Sequence, residues 1–308
     1  MPSLKLATRL AAGLAVLFSA ASAAAQPAPV ADAPPLSPPQ LQTDVGGGVH
    51  VLSGALDNTT VIDTSKGLVL VDDQFAPRVG AIRAAILTFS NKPVIEVINT
   101  HYHGDHTGGN AALHGPGVRI VAHESVAGRM RAPPPNPVTG LPDPSAPPEA
   151  LPDAPYRGAG ETLQVGGVTL QLIHPPPAHT DGDTVILLPA QDVVLAGDLV
   201  GNHYPNIDVP VGGSIDGMIA ADDMILTHVG PHTRVIPGHG PVLDRAGVLA
   251  YRAMLQTARD RIAAAKARGL TERQVMDGGL LADLDPKWKM PSNPVSSRFP
   301  INVYRSLP

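Results

Sequence analysis

Short β-branched and aliphatic runs at residues 49–53, 59–64 and 67–71 are separated by GALD (54–57) and by Ser65-Lys66, a spacing that predicts an antiparallel meander. Residues 78–88 then carry Val79, Ile82 and Ile86 at helical intervals, and 94–99 is nearly continuous in aliphatics, as expected of a strand buried on both faces. A strand at 119–122 precedes a short helix. Strands resume at 162–165 and 168–173, joined by a Gly166-Gly167 hairpin turn, and at 184–188 and 193–196. Ser214 is placed to cap a helix whose apolar side is Ile215, Met218, Ile219, Ile225 and Leu226, and a short strand at 234–236 follows. Residues 245–268 form a long amphipathic pattern ending at Gly269. Thr271 and Gln274 then fit a capping box, with Leu270 and Val275 as its hydrophobic staple. The order strands, helix, strand occurs twice and implies an α/β chain of two β-rich halves with helices outside.

Three segments fall outside this pattern. Lys5 and Arg9, the apolar stretch 10–18 and Ala23-Ala24-Ala25 read as an export signal over residues 1–25, too short to span a membrane. Residues 26–44 are rich in Pro and Ala and are expected to form a flexible lead-in to one domain over 45–308. Residues 132–155 contain ten prolines, so no regular element fits there, and the segment reads as a functional flap or a disordered insertion.

Composition narrows the chemistry. With 43% hydrophobic and 16% charged residues the chain buries a core, and with 3% aromatics that core must be aliphatic. The absence of cysteine excludes disulfides, a thiol nucleophile, Cys-based zinc sites and iron–sulfur clusters, so any metal must be held by His and carboxylates. Loss of Lys5 and Arg9 with the signal takes the formal charge from −5 to −7, which argues against a nucleic-acid partner.

The strand at 94–99 leads into His101-Tyr102-His103-Gly104-Asp105-His106, an H-x-H-x-D-H pattern followed by Gly108-Gly109. Four potential ligands within six positions, beside glycines that let the backbone turn tightly, suit divalent-metal binding far better than solvation. His101 and His103, two apart, share a side and can pinch one ion, while Asp105 and His106, past Gly104, turn towards another. Two ions need more donors, and His179, Asp198 and His239 supply them, each near a small residue after a predicted strand.

These seven positions, with the phrases AHTDGDTVI, AGDLV and IPGHGPV, resemble the metallo-β-lactamase-fold hydrolases over roughly residues 45–305. The resemblance implies an αβ/βα four-layer sandwich with two central mixed sheets, helices outside and metals at one edge. It also implies two zinc (Zn) ions per chain, His101, His103 and His179 holding the first and Asp105, His106 and His239 the second, with Asp198 bridging them. Among relatives of this kind, one β-lactamase branch has Cys at the bridging position and another Ser, whereas thioester, lactone and phosphodiester hydrolases generally keep Asp.

The expectation is therefore an exported zinc hydrolase, periplasmic or secreted, in which a metal-bridging hydroxide cleaves an ester, thioester, lactone or β-lactam of a small-molecule substrate. Asp105 would orient the water or relay its proton, and Asn202, His203 and Tyr204 are candidate donors to a developing oxyanion. Asp181 and Asp183 read first as turn residues and second as partners of a ligating imidazole. His50, His114, His123, His174, His228 and His232 read as packing or surface residues. The competing expectations are a mononuclear iron persulfide-dioxygenase-like enzyme, resembling relatives that use the positions of His101, His179 and Asp198, and a catalytically idle zinc-binding module. No stable membrane anchor is expected after signal cleavage.

Overall fold

In the computed structural model, residues 41–54, 57–135, 140–290 and 294–308 are described. The expected export signal and most of the expected lead-in lie outside them. The elements in chain order are β1 (Leu41–Gly46), β2 (Val49–Ser53), β3 (Asn58–Asp63), β4 (Leu68–Val71), α1 (Val79–Ile86), β5 (Val94–Ile98), α2 (Gly104–Thr107), α3 (Asn110–Leu113), β6 (Arg119–Val121) and α4 (Glu124–Arg131). There follow β7 (Gly160–Val165), β8 (Val168–Ile173), β9 (Val185–Leu188), β10 (Val193–Gly197), α5 (Ile215–His228), β11 (Arg234–Pro237), α6 (Arg245–Ala267), α7 (Glu272–Asp277), α8 (Asp285–Trp288), α9 (Pro294–Ser297) and α10 (Phe299–Ser306).

The strands form two mixed sheets, β1-β2-β3-β4-β5-β6 and β11-β10-β9-β8-β7. In the first, β1 to β4 are the antiparallel meander that the sequence predicts, lengthened by one strand. Leu41–Gly46 pairs with β2 although Leu41 to Asp44 fall in the expected lead-in. The Pro-free stretch Leu41-Gln42-Thr43 can donate to a ladder, which the prolines before it cannot. After the meander each half turns parallel: β4 and β5 pair across α1, and β10 and β11 pair across α5. Such crossovers place helices on the sheet faces and send the loops after β4, β5, β10 and β11 to a common edge.

The aliphatic runs are explained by burial on both faces. Val69 and Val71 of β4 join Ile186, Leu188, Val193 and Leu195 in the core between the sheets, while Leu68 and Leu70 face α1 with Val79, Ile82 and Ile86. In the second sheet Val185, Leu187, Val194 and Ala196 point the other way, into a core with α5, α6 and α10. Along α6 the residues Val248, Tyr251, Leu255, Ala258, Ile262 and Ala265 are buried, the three- and four-residue steps of one helix face. The Gly166-Gly167 turn has φ of +53° and +88°, the left-handed pair that a two-residue hairpin needs. The Ser214 cap and the Thr271–Gln274 capping box form as expected.

Residues 140–155 of the proline-rich segment are tied down. Ala146 N donates to Met130 O (2.9 Å), Asp153 N to Ile120 O (3.1 Å), and Asp153 Oδ1 accepts from Ile120 N (2.7 Å). Ala146, Ala150 and Leu151 pack against Tyr102, Val126 and Met130, so backbone bonds to β6 and α4 replace the ladder that proline forbids.

One core position carries an electrostatic cost. Asp222 on α5 is fully buried, and neither carboxylate oxygen has a hydrogen bond among the described residues. Burial, helped by Asp223 and opposed by Arg252, raises its pKa well above the ordinary carboxylate value. At a pH below that ordinary value both folded and unfolded states hold the proton. As pH rises the unfolded chain ionises first, and stability falls by up to about 1.4 kcal/mol per pH unit until the folded carboxyl titrates. Asp222→Asn is expected to raise the melting temperature at pH 8 and to leave it nearly unchanged at pH 4, measured by calorimetry; an equal effect at both pH values would count against a neutral Asp222.

Candidate metal centre

The motif after β5 is held by amide and carboxylate bonds before any ligand is considered. Asn99 Nδ2 donates to His106 O (3.0 Å) and to Asn110 Oδ1 (3.1 Å), and Asn110 Nδ2 donates back to Asn99 Oδ1 (2.9 Å). Asp105 and His106 lie in the single helical turn of α2, which begins at Gly104, where the sequence reading expected the chain to turn. Gly109 passes so close to the loop after β4 that a Cβ there would lie 2.6 Å from Asp73 O.

The seven expected positions meet at the shared edge of the two sheets. His101 Nε2, His103 Nδ1 and His179 Nε2 form a triangle with sides of 3.0, 3.0 and 3.2 Å. Nitrogens bound at about 2.1 Å around a tetrahedral ion lie about 3.4 Å apart, so this spacing fits one cation. On the other side His106 Nε2 lies 3.3 Å from His239 Nε2, and Asp105 Oδ2 is 3.4 Å from His239 and 3.7 Å from His106. Asp198 stands between the two groups: Oδ2 is 3.5 Å from His179 Nε2 and 3.2 Å from His239 Nε2, and Oδ1 is 3.4 Å from His106 Nε2. That Oδ1 is buried and has no hydrogen bond among the described residues. An unsatisfied carboxylate oxygen facing converging imidazole nitrogens is the donor set a divalent cation satisfies.

Each imidazole is held from behind. His101 Nδ1 meets Thr100 Oγ1 (3.1 Å), which donates to Asp72 Oδ2 (2.8 Å), and the same oxygen accepts from His106 Nδ1 (2.8 Å). His179 Nδ1 donates to Asn206 O (2.8 Å), His103 Nε2 to Asp208 Oδ2 (3.1 Å), and His239 Nδ1 lies 3.2 Å from Asp57 Oδ1. Asp72 has φ of +57°, a backbone state disfavoured for a side chain-bearing residue, and its two carboxylate oxygens also hold Thr100.

The charges are strongly mixed. Burial pulls the His106 imidazole down, but Asp198, Asp105 and Asp72 outweigh it and push its pKa up to about 10. Burial takes His179 down to about 4 and His101 well below its ordinary value, each helped by neighbouring imidazoles. The Asp198 carboxyl stays well below the usual range because His239 and His106 overcome its burial. A cation entering at His106 displaces a proton.

Several side chains differ from the sequence reading. Tyr204 does not face the cleft: it is buried, donates to Asp285 Oδ1 (3.0 Å) and stacks on Phe299. Its apolar ring is drawn into the helix layer, leaving His203 at the site, while the Asn202 side chain lies against Gly240 and contacts His203 Nδ1 (3.1 Å). His203 lines a small cavity with Asp198, His239 and Tyr251, its ring 6.0 Å from that of His239. Asp181 pairs with Arg129, and Asp183 accepts from His179 N (2.8 Å), Thr180 N (2.9 Å) and Thr180 Oγ1 (2.6 Å), which is turn chemistry. Asp57, Asp72 and Asp208, the carboxylates behind three of the imidazoles, were not singled out from sequence. Asp72 ends an aliphatic strand in Asp72-Asp73, a signal of the kind that marked Asp198; Asp57 and Asp208 lie in loops without one.

Comparison with known proteins places this geometry. Residues 55–239 match the family model described as metallo-beta-lactamase superfamily. The chain is 26% identical to "Metallo-beta-lactamase type 2" of Bacillus cereus over 197 residues, 62% of this chain and 70% of that protein. It is 27% identical to a hydroxyacylglutathione hydrolase of Nitrosococcus oceani over 157 residues, 50% of this chain and 51% of that one. Among solved structures, the stereoselective inverting sec-alkylsulfatase from Pseudomonas sp. superposes with a TM-score of 0.67 at 20% identity, covering 86% of this chain and 50% of that one. A metallo-beta-lactamase from Pontibacter korlensis gives 0.57 at 21% identity, covering 70% and 98%.

Gly238 is the backbone point on which the shared carboxylate rests: a Cβ there would lie 2.2 Å from Asp198 Oδ1 and 2.7 Å from His106 Cε1. Gly238→Ala is expected to retain the far-ultraviolet circular dichroism of the parent and to lose metal affinity by roughly 10- to 100-fold, measured by titration against a chelator. Undiminished metal content would show that the edge is less tightly packed.

Proposed function

Because the chain belongs to the metallo-beta-lactamase superfamily, whose members are metal-binding hydrolases of this fold, we propose that it is a dinuclear zinc hydrolase that cleaves an acyl bond in a small-molecule substrate. The observation that carries this reading is Asp198, half-buried between two donor groups and within 3.5 Å of three imidazole nitrogens that belong to both. His101, His103 and His179 would hold the first ion, Asp105, His106 and His239 the second, and Asp198 both. Bound zinc supplies a Lewis acid for a carbonyl oxygen and lowers the pKa of water towards neutrality.

The chain's own residues do the rest. Asp105 is the most exposed acid of the cluster, its side chain 29% accessible, and His106 and His239 overcome its burial to keep its carboxyl well below the ordinary range. It therefore orients a water by accepting a hydrogen bond and is a poor store for a proton. His203 is kept towards its neutral form by burial and by His239, and it stands at the cavity beside Asp198. A neutral imidazole there can donate to an oxygen gaining charge. The bonds from Asp72, Asp57, Asp208 and Asn206 O hold the imidazoles in place, so little reorganisation is left for the reaction.

A single-ion reading uses His101, His179 and Asp198 and leaves Asp105, His106 and His239 converged for no purpose, which favours two ions over a mononuclear iron centre. The hydroxyacylglutathione hydrolase and the Bacillus cereus lactamase together suggest thioesters, lactones and β-lactams as the substrates to try. The export pattern of residues 1–25 supports a periplasmic or secreted site of action, and the acidic balance of the chain supports a partner other than nucleic acid.

Purified protein is expected to hold two zinc ions per chain and to hydrolyse at least one of a cephalosporin, a lactone and a thioester assayed side by side. One iron per chain with oxygen uptake on persulfide would replace this reading. Asp198→Ala is expected to stay folded, to lose most metal from the second position and to lower kcat/KM by on the order of 100-fold or more; unchanged turnover would rule out a bridging role.

A further inference from the structure

The three imidazoles of the first donor group are not held alike. His101 and His179 are each 1% exposed, and packing fixes their rings. The His103 side chain is 20% accessible, so packing against Tyr102, His101 and His179 constrains its ring less than theirs. Its ring is directed by a hydrogen bond: Nε2 donates to Asp208 Oδ2 at 3.1 Å, which leaves the Nδ1 lone pair aimed at His101 and His179. Tyr102 OH donates to the same carboxylate oxygen. Asp208 is 4% exposed and lies in the loop between β10 and α5, where its N–H donates to His179 O (2.9 Å). Two residues earlier, Asn206 O accepts from His179 Nδ1. One short stretch thus directs two of the three first-group imidazoles.

That stretch is anchored from the far side by the end of the chain. Tyr204 N donates to Trp288 O (2.7 Å), Tyr204 OH to Asp285 Oδ1, and the Tyr204 ring stacks on Phe299 at 4.6 Å. Asn302 Nδ2 on α10 donates to Asn206 Oδ1 (3.3 Å). The second donor group does not lean on this loop: Asp57 stands behind His239, and Asp72 stands behind His106 and, through Thr100, behind His101.

Resting on the dinuclear reading above, we propose that Asp208 is the positioning residue for His103, and that the loop 204–208, braced by α8 and α10, sets the affinity of the first metal position separately from the second. Loss of the carboxylate frees the His103 ring to rotate and removes one of three neutral donors from the first position. His106, Asp105 and His239 keep their supports.

The test is a cobalt(II) titration of the metal-free full chain, followed by its visible d–d bands, for the parent and for Asp208→Ala, Asp208→Asn and Asp57→Asn. The parent is expected to take up two equivalents. Both Asp208 variants should weaken one equivalent by roughly 10- to 100-fold and leave the other unchanged, and Asp57→Asn should weaken the other one, with loss of a different band. If Asp208→Ala fails to fold, Asp208→Asn, of nearly the same shape, carries the test. Two parent equivalents that weaken together, or not at all, in Asp208→Asn would overturn the proposal alone. A parent that takes up no cobalt would overturn the dinuclear reading as well.

Discussion

The structure turns on one buried carboxylate oxygen, Asp198 Oδ1, set among converging imidazoles. Among the described residues Asp198 Oδ1 accepts no hydrogen bond although five imidazoles crowd the same edge, and three of their nitrogens lie within 3.5 Å of its carboxylate. A desolvated anion among groups that are themselves desolvated is costly unless positive charge is supplied. The carboxylates around them, Asp198 first, hold the His106 and His239 imidazoles above their ordinary pKa despite burial. Cations in the same place would satisfy the acid and the converging lone pairs together.

That demand constrains the fold above it. The donors come from the ends of β5 and β10, from the turns after β8 and β11, and from α2, so the two sheets must bring those points to one edge. Parallel crossovers through α1 and α5 do this, and the sheets are joined where Asn58 reaches across: its N–H donates to Gly238 O (2.8 Å) and its side chain to Pro237 O and Gly240 O. The contact places β3 of the first sheet directly under the loop that carries His239.

Aromatic residues, few in number, are spent at joints. Tyr204 on Phe299 fastens the loop after β10 to α10, Tyr251 near Trp288 joins α6 to α8, and Tyr156 binds Thr184 Oγ1 (2.7 Å) beside the turn that carries His179. The aliphatic interior supplies area, and the rings, each large and with a polar end, supply direction. The described proline-rich residues act in the same sense, packing behind Tyr102.

The sequence by itself determined the elements whose signal is local. Alternating and continuous aliphatic runs placed β2 to β11 to within a few residues, because the central strands bury both faces and β8 buries one, and the caps at Ser214 and Thr271 depend only on neighbours in the chain. The H-x-H-x-D-H motif and the three later positions were legible because donors of one type stood beside glycines after strands. Only the tertiary structure decided which carboxylate stands behind which imidazole. Asp208 and Asp57 are unremarkable loop acids until a fold sets them against His103 and His239, and Tyr204 looked like a cleft residue until α10 offered its ring a stacking partner. Contacts between residues a hundred or more positions apart leave no periodicity in a single chain, so their outcome is fixed by packing and by the need to satisfy buried polar atoms.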